Sequence, residues 1–168
     1  MNEPRLKSPQ TYQTCWESPL GFVRIVGSRD SVLALDFVEE FQNGDHELPF
    51  CIKECIKQIA EYFDGKRKEF FLNLDPHGTK FQKLVWHQLE MIPFGSVVSY
   101  REIAGMIGKP EACRAVGSAN GKNPIAIIIP CHRVIGSDGS LTGYGGGLWR
   151  KEWLIAHERG YSPDNIIA

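Results

Sequence analysis

The chain has 168 residues, 42% of them hydrophobic, with 19 Lys and Arg against 20 Asp and Glu. That balance suits one ordinary folded domain or two small ones; it excludes a disordered chain and a basic field spread over the whole protein. No run of eighteen apolar residues occurs, and the start, with Glu3, Pro4, Lys7 and Pro9, lacks the apolar centre of a signal peptide, so the expected location is the cytoplasm, or the nucleus in a eukaryote.

Along the chain, residues 22–26 and 32–37 alternate β-branched and aromatic side chains around the turn-prone Gly27-Ser28-Arg29-Asp30, which predicts a β-hairpin. A loop through Asn43-Gly44-Asp45 and Pro49 follows. Ile52, Cys55, Ile56, Ile59 and Phe63 then fall at helical spacing, so 51–63 reads as an amphipathic helix stopped near Gly65. The short apolar run 70–74 precedes Asp75-Pro76-His77-Gly78, dense enough in breakers to place a domain seam there, dividing 1–76 from 77–168.

Beyond that seam, Thr79 and Gln82 have capping-box spacing, and Phe81, Leu84, Val85, Leu89 and Ile92 share one helical face until Pro93. Ser99 and Glu102 repeat the box over a helix at 100–107 closed by Gly108, and Pro110 is expected in the first turn of a further helix reaching Asn120. Two short helices on a tight turn form a helix-turn-helix candidate. The apolar run 125–129 should be buried on most sides, the six glycines of 136–147 mark a loop that lets a flat ligand approach the backbone, and 148–159 closes the chain as a helix with Glu158 leaving its last turn.

Five cysteines, Cys15, Cys51, Cys55, Cys113 and Cys131, are odd in number and irregularly spaced, which points to free thiols. Residues 1–76 carry nine Lys and Arg against thirteen Asp and Glu, whereas 77–168 carry ten against seven. Contact with a polyanion would therefore depend on local placement of Arg101, Lys109, Arg114, Lys122 and Arg133. Chemistry concentrates in Ile129-Pro130-Cys131-His132-Arg133-Val134, where a cysteine ends a buried apolar run. A thiol attacks only as thiolate, so Cys131 needs a base or a positive charge, and His132 and Arg133 are the adjacent candidates. His132 could reach the sulfur only around a bend or through a water. The residues alone favour Cys131 as a small buried hydrophobe and His132 as a satisfied core polar residue; a cysteine hydrolase using both, and a DNA-binding module in which Cys131 is passive, stay open.

Pro-Cys-His-Arg-Val at 130–134, preceded by Arg114-Ala115-Val116-Gly117 and Asn123-Pro124 and followed by Lys151-Glu152-Trp153-Leu154 and His157-Glu158, resembles the 6-O-alkylguanine-DNA alkyltransferases. The resemblance implies an α+β fold of two small domains, a ribonuclease-H-like α/β domain at 1–76 and a mainly helical, winged-helix-like domain at 77–168. It implies irreversible, single-turnover transfer of an alkyl group from oxygen 6 of guanine to Cys131, with oxygen 4 of thymine left open as a second source. His132 would deprotonate Cys131 through a water, Glu158 would orient His132, Asn123 would tie the helix-turn-helix to the active segment, and Tyr100 would donate to the purine. Tyr144 would wall the pocket, Gly145 would offer its N–H to the substrate oxygen, and the carbonyls of Cys131 and Val134 would accept from the guanine amine. Arg114 would fill the space of a flipped nucleotide, and Ala115, Gly117 and Ser118, small like Ala112 and Ala119, would admit the second helix to the minor groove. The implied partner is duplex DNA bound by a monomer, with cooperativity left open. No cofactor is implied, and no metal is expected, since Cys51 and Cys55 lack paired ligands. Some members carry serine where Gly145 stands and proline where Ala126 stands, which implies a looser pocket here.

Overall fold

A computed structural model describes residues 10–160, so the segment 1–9, weighed above for a leader, lies outside the described residues. The alternation in the first half builds a three-stranded antiparallel sheet in the order β1 (Tyr12–Ser18), β2 (Gly21–Gly27), β3 (Val32–Val38). Sequence pattern alone does not announce strand β1: it is an edge strand with several half-exposed side chains, so its apolar alternation is weak. The turn into β2 is held by Ser18, whose hydroxyl donates to the Gly21 carbonyl at 2.7 Å, and by Gly21 at φ +103°.

Helix α1 (Phe50–Phe63) lays Ile52, Cys55, Ile59 and Tyr62 on the sheet side of the core and stops before Gly65 at φ +72°. The apolar run at 70–74 forms no strand of its own; it hooks onto β3, with Val32 N–H donating to Asn73 O and Asp75 N–H to Val32 O.

Helix α2 (Lys80–Glu90) opens on the Thr79–Gln82 capping box and buries Val85, Trp86 and Leu89. Leu84 instead remains partly exposed, and Trp86 takes the inner position, its indole N–H donating to Ala119 O at 2.8 Å. Strand β4 (Val98–Ser99) leads into α3 (Tyr100–Met106), again through a complete capping box, Ser99 with Glu102. Helix α4 (Cys113–Gly121) starts three residues later than expected from Pro110. Residues 109–112 form a separate turn, Ala112 N–H donating to Lys109 O, so the proline serves that turn rather than the helix. After one turn of 3-10 helix at Cys131–Arg133, β5 (Val134–Ile135) pairs in parallel with β4, and α5 (Leu148–Glu158) begins after Gly147 at φ +92°.

One apolar cluster runs through both halves of this two-domain α+β fold. Backbone bonds cross between them as well, since Leu35 N–H donates to Pro124 O and Ala126 N–H to Leu35 O. Strand β3 is thereby fastened to the segment that carries Cys131. Among the described residues no helix is long and apolar enough to cross a membrane.

Candidate active site

Asn123, two residues beyond α4, shapes the chain ahead of the thiol. Its side-chain oxygen accepts from Ile125 N–H at 3.0 Å, and its amide donates to the carbonyls of Ile129 at 2.7 Å and Ile125 at 3.4 Å. One side chain thus satisfies backbone groups at both ends of a buried turn, groups that would otherwise be orphaned. Ile127 at its centre has φ +70°, a left-handed conformation that costs a β-branched residue about 1–3 kcal/mol. Burial of Ile125, Ile127 and Ile129, each worth roughly 1.5–3 kcal/mol, outweighs that strain.

Cys131 is 6% exposed at a pocket of about 250 Å³, lined also by Asn120, Ala126, Tyr144 and Gly145 and, from β3, by Asp36 and Phe37. Burial raises the thiol pKa above its ordinary value, while the Asn123 amide, the Lys151 ammonium and the N–H groups of Cys131 and His132 draw it part of the way back. The resting sulfur is a thiol, so a base must take its proton for attack. The glycine loop allows the close wall: a Cβ on Gly146 would lie 2.9 Å from both Phe37 Cδ2 and Tyr144 Cε1, whereas one on Gly145 would meet only Gly121 O at 4.0 Å.

The 3-10 turn is the bend that sends His132 inward. Glu158, in the last turn of α5, points into the core rather than off the helix end, and five hydrogen bonds converge on it. Oε1 accepts from His132 Nε2 at 2.6 Å, Tyr62 Oη at 2.9 Å and Arg133 Nη2 at 3.0 Å; Oε2 accepts from Arg133 Nε at 2.9 Å and Gly95 N–H at 3.0 Å. Burial by itself would raise the Glu158 pKa, but the hydrogen bond from His132 and the hydrogen bonds and charge of Arg133 hold it well below the usual carboxylate range. Burial lowers the pKa of His132, with Glu158 opposing, which favours the neutral ring. With its Nε2 proton directed at Glu158, that ring offers Nδ1 as an acceptor, and Nδ1 is buried with no partner among the described residues. Arg133 is no activator of the thiol: its guanidinium is committed to Glu158 and to Ile92 O at 2.5 Å.

The cation beside the sulfur is Lys151. Wholly buried on α5, it donates to Thr142 O at 2.8 Å and to Tyr100 Oη at 3.4 Å, while Tyr100 Oη donates to Thr142 O at 2.9 Å. Burial lowers the Lys151 pKa to about 8, with the neighbouring Cys131 acting to raise it. The outer face of α4 shows Arg114, Ala115 and Ser118 to solvent, with Gly117 beside the Tyr100 ring; among the described residues Arg114 forms no ion pair. The inner face buries Asn120, whose amide donates to Cys131 O at 3.3 Å.

A family model for the DNA-binding domain of 6-O-methylguanine DNA methyltransferase matches residues 80–160, and one for the ribonuclease-like domain of the same protein matches residues 11–76. The chain belongs to the 6-O-methylguanine DNA methyltransferase family. It is 48% identical over 155 residues to a methylated-DNA–protein-cysteine methyltransferase of Mycolicibacterium paratuberculosis, covering 89% of this chain and 93% of that one. Identity is 49% over 152 residues to the protein of the same name from Methanosarcina barkeri, covering 88% and 96%. The crystal structure of Mycobacterium tuberculosis OGT in complex with DNA superposes with a TM-score of 0.84 at 41% identity, covering 93% of this chain and 99% of that chain.

Within this family member the fold gathers Cys131, Asn123, Tyr144 and Gly145 at one pocket and His132 with Glu158 behind it, and it leaves Arg114, Ala115 and Ser118 on an exposed helix face. Sequence reasoning missed Lys151, Asn120 and Tyr62. Lys151 sits between Arg150 and Glu152, which reads as a solvated charge run; its spacing to Leu154 and Glu158, three and seven residues on, was the available signal for an inward face. Tyr62 lies outside the apolar set read for 51–63, and its spacing from Cys55 and Ile59, seven and three residues back, was the available signal for the buried face. Among the described residues no three His, Cys, Asp or Glu side chains gather as a metal cluster.

Proposed function

We propose that this methyltransferase-family chain repairs DNA by direct reversal, with Cys131 taking an alkyl group from oxygen 6 of guanine once per molecule. The observation that carries the reading is a buried thiol at a glycine-walled pocket, next in sequence to a histidine that has one nitrogen bonded to a buried carboxylate and the other without a partner among the described residues. His132 Nδ1 takes the Cys131 proton through a water, and Glu158 compensates the imidazolium. The sulfur pair forms the S–C bond, the C–O bond breaks, and its electron pair stays with the guanine. Tyr100 protonates the purine and Lys151, donating to the same hydroxyl, helps it do so; the leaving base is then neutral. Both acceptors, of alkyl group and of proton, are side chains, so the step requires no metal or cofactor.

Oxygen 6 of a stacked guanine is out of reach of any thiol, so the nucleotide has to leave the duplex, at a cost of a few kcal/mol. Arg114, exposed on α4 and without an ion pair among the described residues, suits the space left behind. Ala115, Gly117 and Ser118 let that helix approach the floor of the minor groove. In the pocket, Gly145 N–H faces the substrate oxygen, Tyr144 stacks as a wall, and Val134 O accepts the guanine amine. Cys131 O already accepts from Val134 N–H and the Asn120 amide, so a guanine amine there would displace Asn120. The unit 77–168 would carry this chemistry as a monomer in cytoplasm or nucleus, with 1–76 as its support.

Intact-mass measurement after mixing with duplex carrying O6-methylguanine tests the reading. The expected result is a permanent gain of one methyl group, mapped to the peptide containing Cys131; repeated product release per molecule, or a gain elsewhere, would overturn it.

A further inference from the structure

Tyr62 belongs to α1, in the half of the chain without the thiol, yet its hydroxyl donates to Glu158 Oε1 across 96 residues of sequence. The same oxygen receives His132 Nε2, the shortest of its three bonds. A buried tyrosine hydroxyl needs a partner, and a backbone carbonyl would serve for packing alone. Here it is aimed at the carboxylate that faces the base. Burial and the adjacent carboxylate raise the phenol well above its ordinary pKa, so it remains a donor across the working range.

We infer that Tyr62 is a positioning residue for alkyl transfer, its hydroxyl setting how much of the Glu158 Oε1 charge is left for His132 and so how readily His132 accepts the Cys131 proton. The inference rests on the reading of His132 as the base. Every donor to Oε1 withdraws charge from the side facing His132. Removing one leaves a more negative oxygen against Nε2 and stabilises the imidazolium, so His132 stays protonated to higher pH. Arg133 and Gly95 N–H bond Glu158, and Lys151 and Arg133 oppose protonation of His132. Tyr144 and Cys131 border the pocket side. His157, whose ring lies 5.2 Å from that of Tyr62, bonds Tyr62 O and not its hydroxyl.

The test is the single-turnover rate of transfer from O6-methylguanine duplex between about pH 5 and about pH 9, the range in which a histidine titrates. Tyr62→Phe keeps the ring and removes only the donor. It should move the acid limb to higher pH by about half a unit to one unit while leaving the plateau above it within about twofold. Fluorotyrosine at position 62, a stronger donor with the same packing, should move the limb the other way, and in a Glu158→Gln background Tyr62→Phe should move it no further. A rate lowered equally at every pH, or a limb unmoved by both replacements, overturns the inference. Should Tyr62→Phe unfold, fluorotyrosine alone decides it. A wild-type acid limb that survives in His132→Ala would instead defeat the reading of His132 as the base.

Discussion

On the core side of Cys131, Glu158 accepts five hydrogen bonds and Arg133 gives one further N–H to a backbone carbonyl; of the pocket-lining residues, Asn120 Oδ1 and Tyr144 Oη are buried with no partner among the described residues, as is His132 Nδ1. The two sides are a few residues apart and obey different physics. A buried charge is costly without partners, so both oxygens of Glu158 are bonded, and removal of one member of the network leaves the others exposed to that cost. Unmet polar atoms cost stability, about 1–3 kcal/mol each, and they persist where a ligand is to meet them. His132 joins the two conditions, one nitrogen bonded to Glu158 and the other without a partner among the described residues.

Substitutions can break that contrast. The largest effect is expected from Cys131→Ala, which should abolish transfer completely while DNA binding, followed by fluorescence anisotropy, is retained; a permanent alkyl gain on the variant would deny the pocket side its role. Glu158→Gln strips the charge that Arg133 and His132 share and should lower stability by about 3–5 kcal/mol in urea unfolding, as breaking a buried pair does. A loss under about 1 kcal/mol would show that the inner network is not structural. Arg114→Ala, on neither side, should weaken transfer from duplex far more than reaction with a free alkylguanine base, with stability changed by less than about 0.5 kcal/mol. Equal losses on both substrates would remove its flipping role.

Acid sharpens the contrast. His132 is held neutral, below its ordinary pKa, so below about pH 6.5 the unfolded chain binds a proton that the folded chain refuses, and stability falls as pH drops from there. Glu158, depressed in the fold, adds a second loss below about pH 4.3, again because the unfolded chain takes the proton first. Transfer should fall with protonation of His132, at a pH below the start of the stability loss; thermal melts and rates over the same pH series check this. The smallest effect belongs to Thr79→Ala, far from the thiol: loss of the α2 cap should cost about 1 kcal/mol in thermal unfolding and leave the transfer rate unchanged.

Features governed by neighbours along the chain are legible in the amino-acid sequence by itself. Both capping boxes, the hairpin of β2 and β3, the glycine stops at Gly65 and Gly108 and the segment around Cys131 all depend on residues within a few positions of each other. Strand β1 was hidden because an edge strand needs little apolar alternation, and the start of α4 because a proline fits a turn as well as a first helical position. The order of motifs from Arg114 to Glu158 identified the family, but what each side chain touches was decided by tertiary contact. Glu158 points inward because Tyr62, Gly95, His132 and Arg133 supply donors from separate stretches of chain, and Lys151 is a buried cation because α5 turns that face towards Cys131 and Tyr100. Local sequence specifies which element forms; the charge state and partners of a buried group depend on everything packed around it, and that environment exists only once the chain has folded.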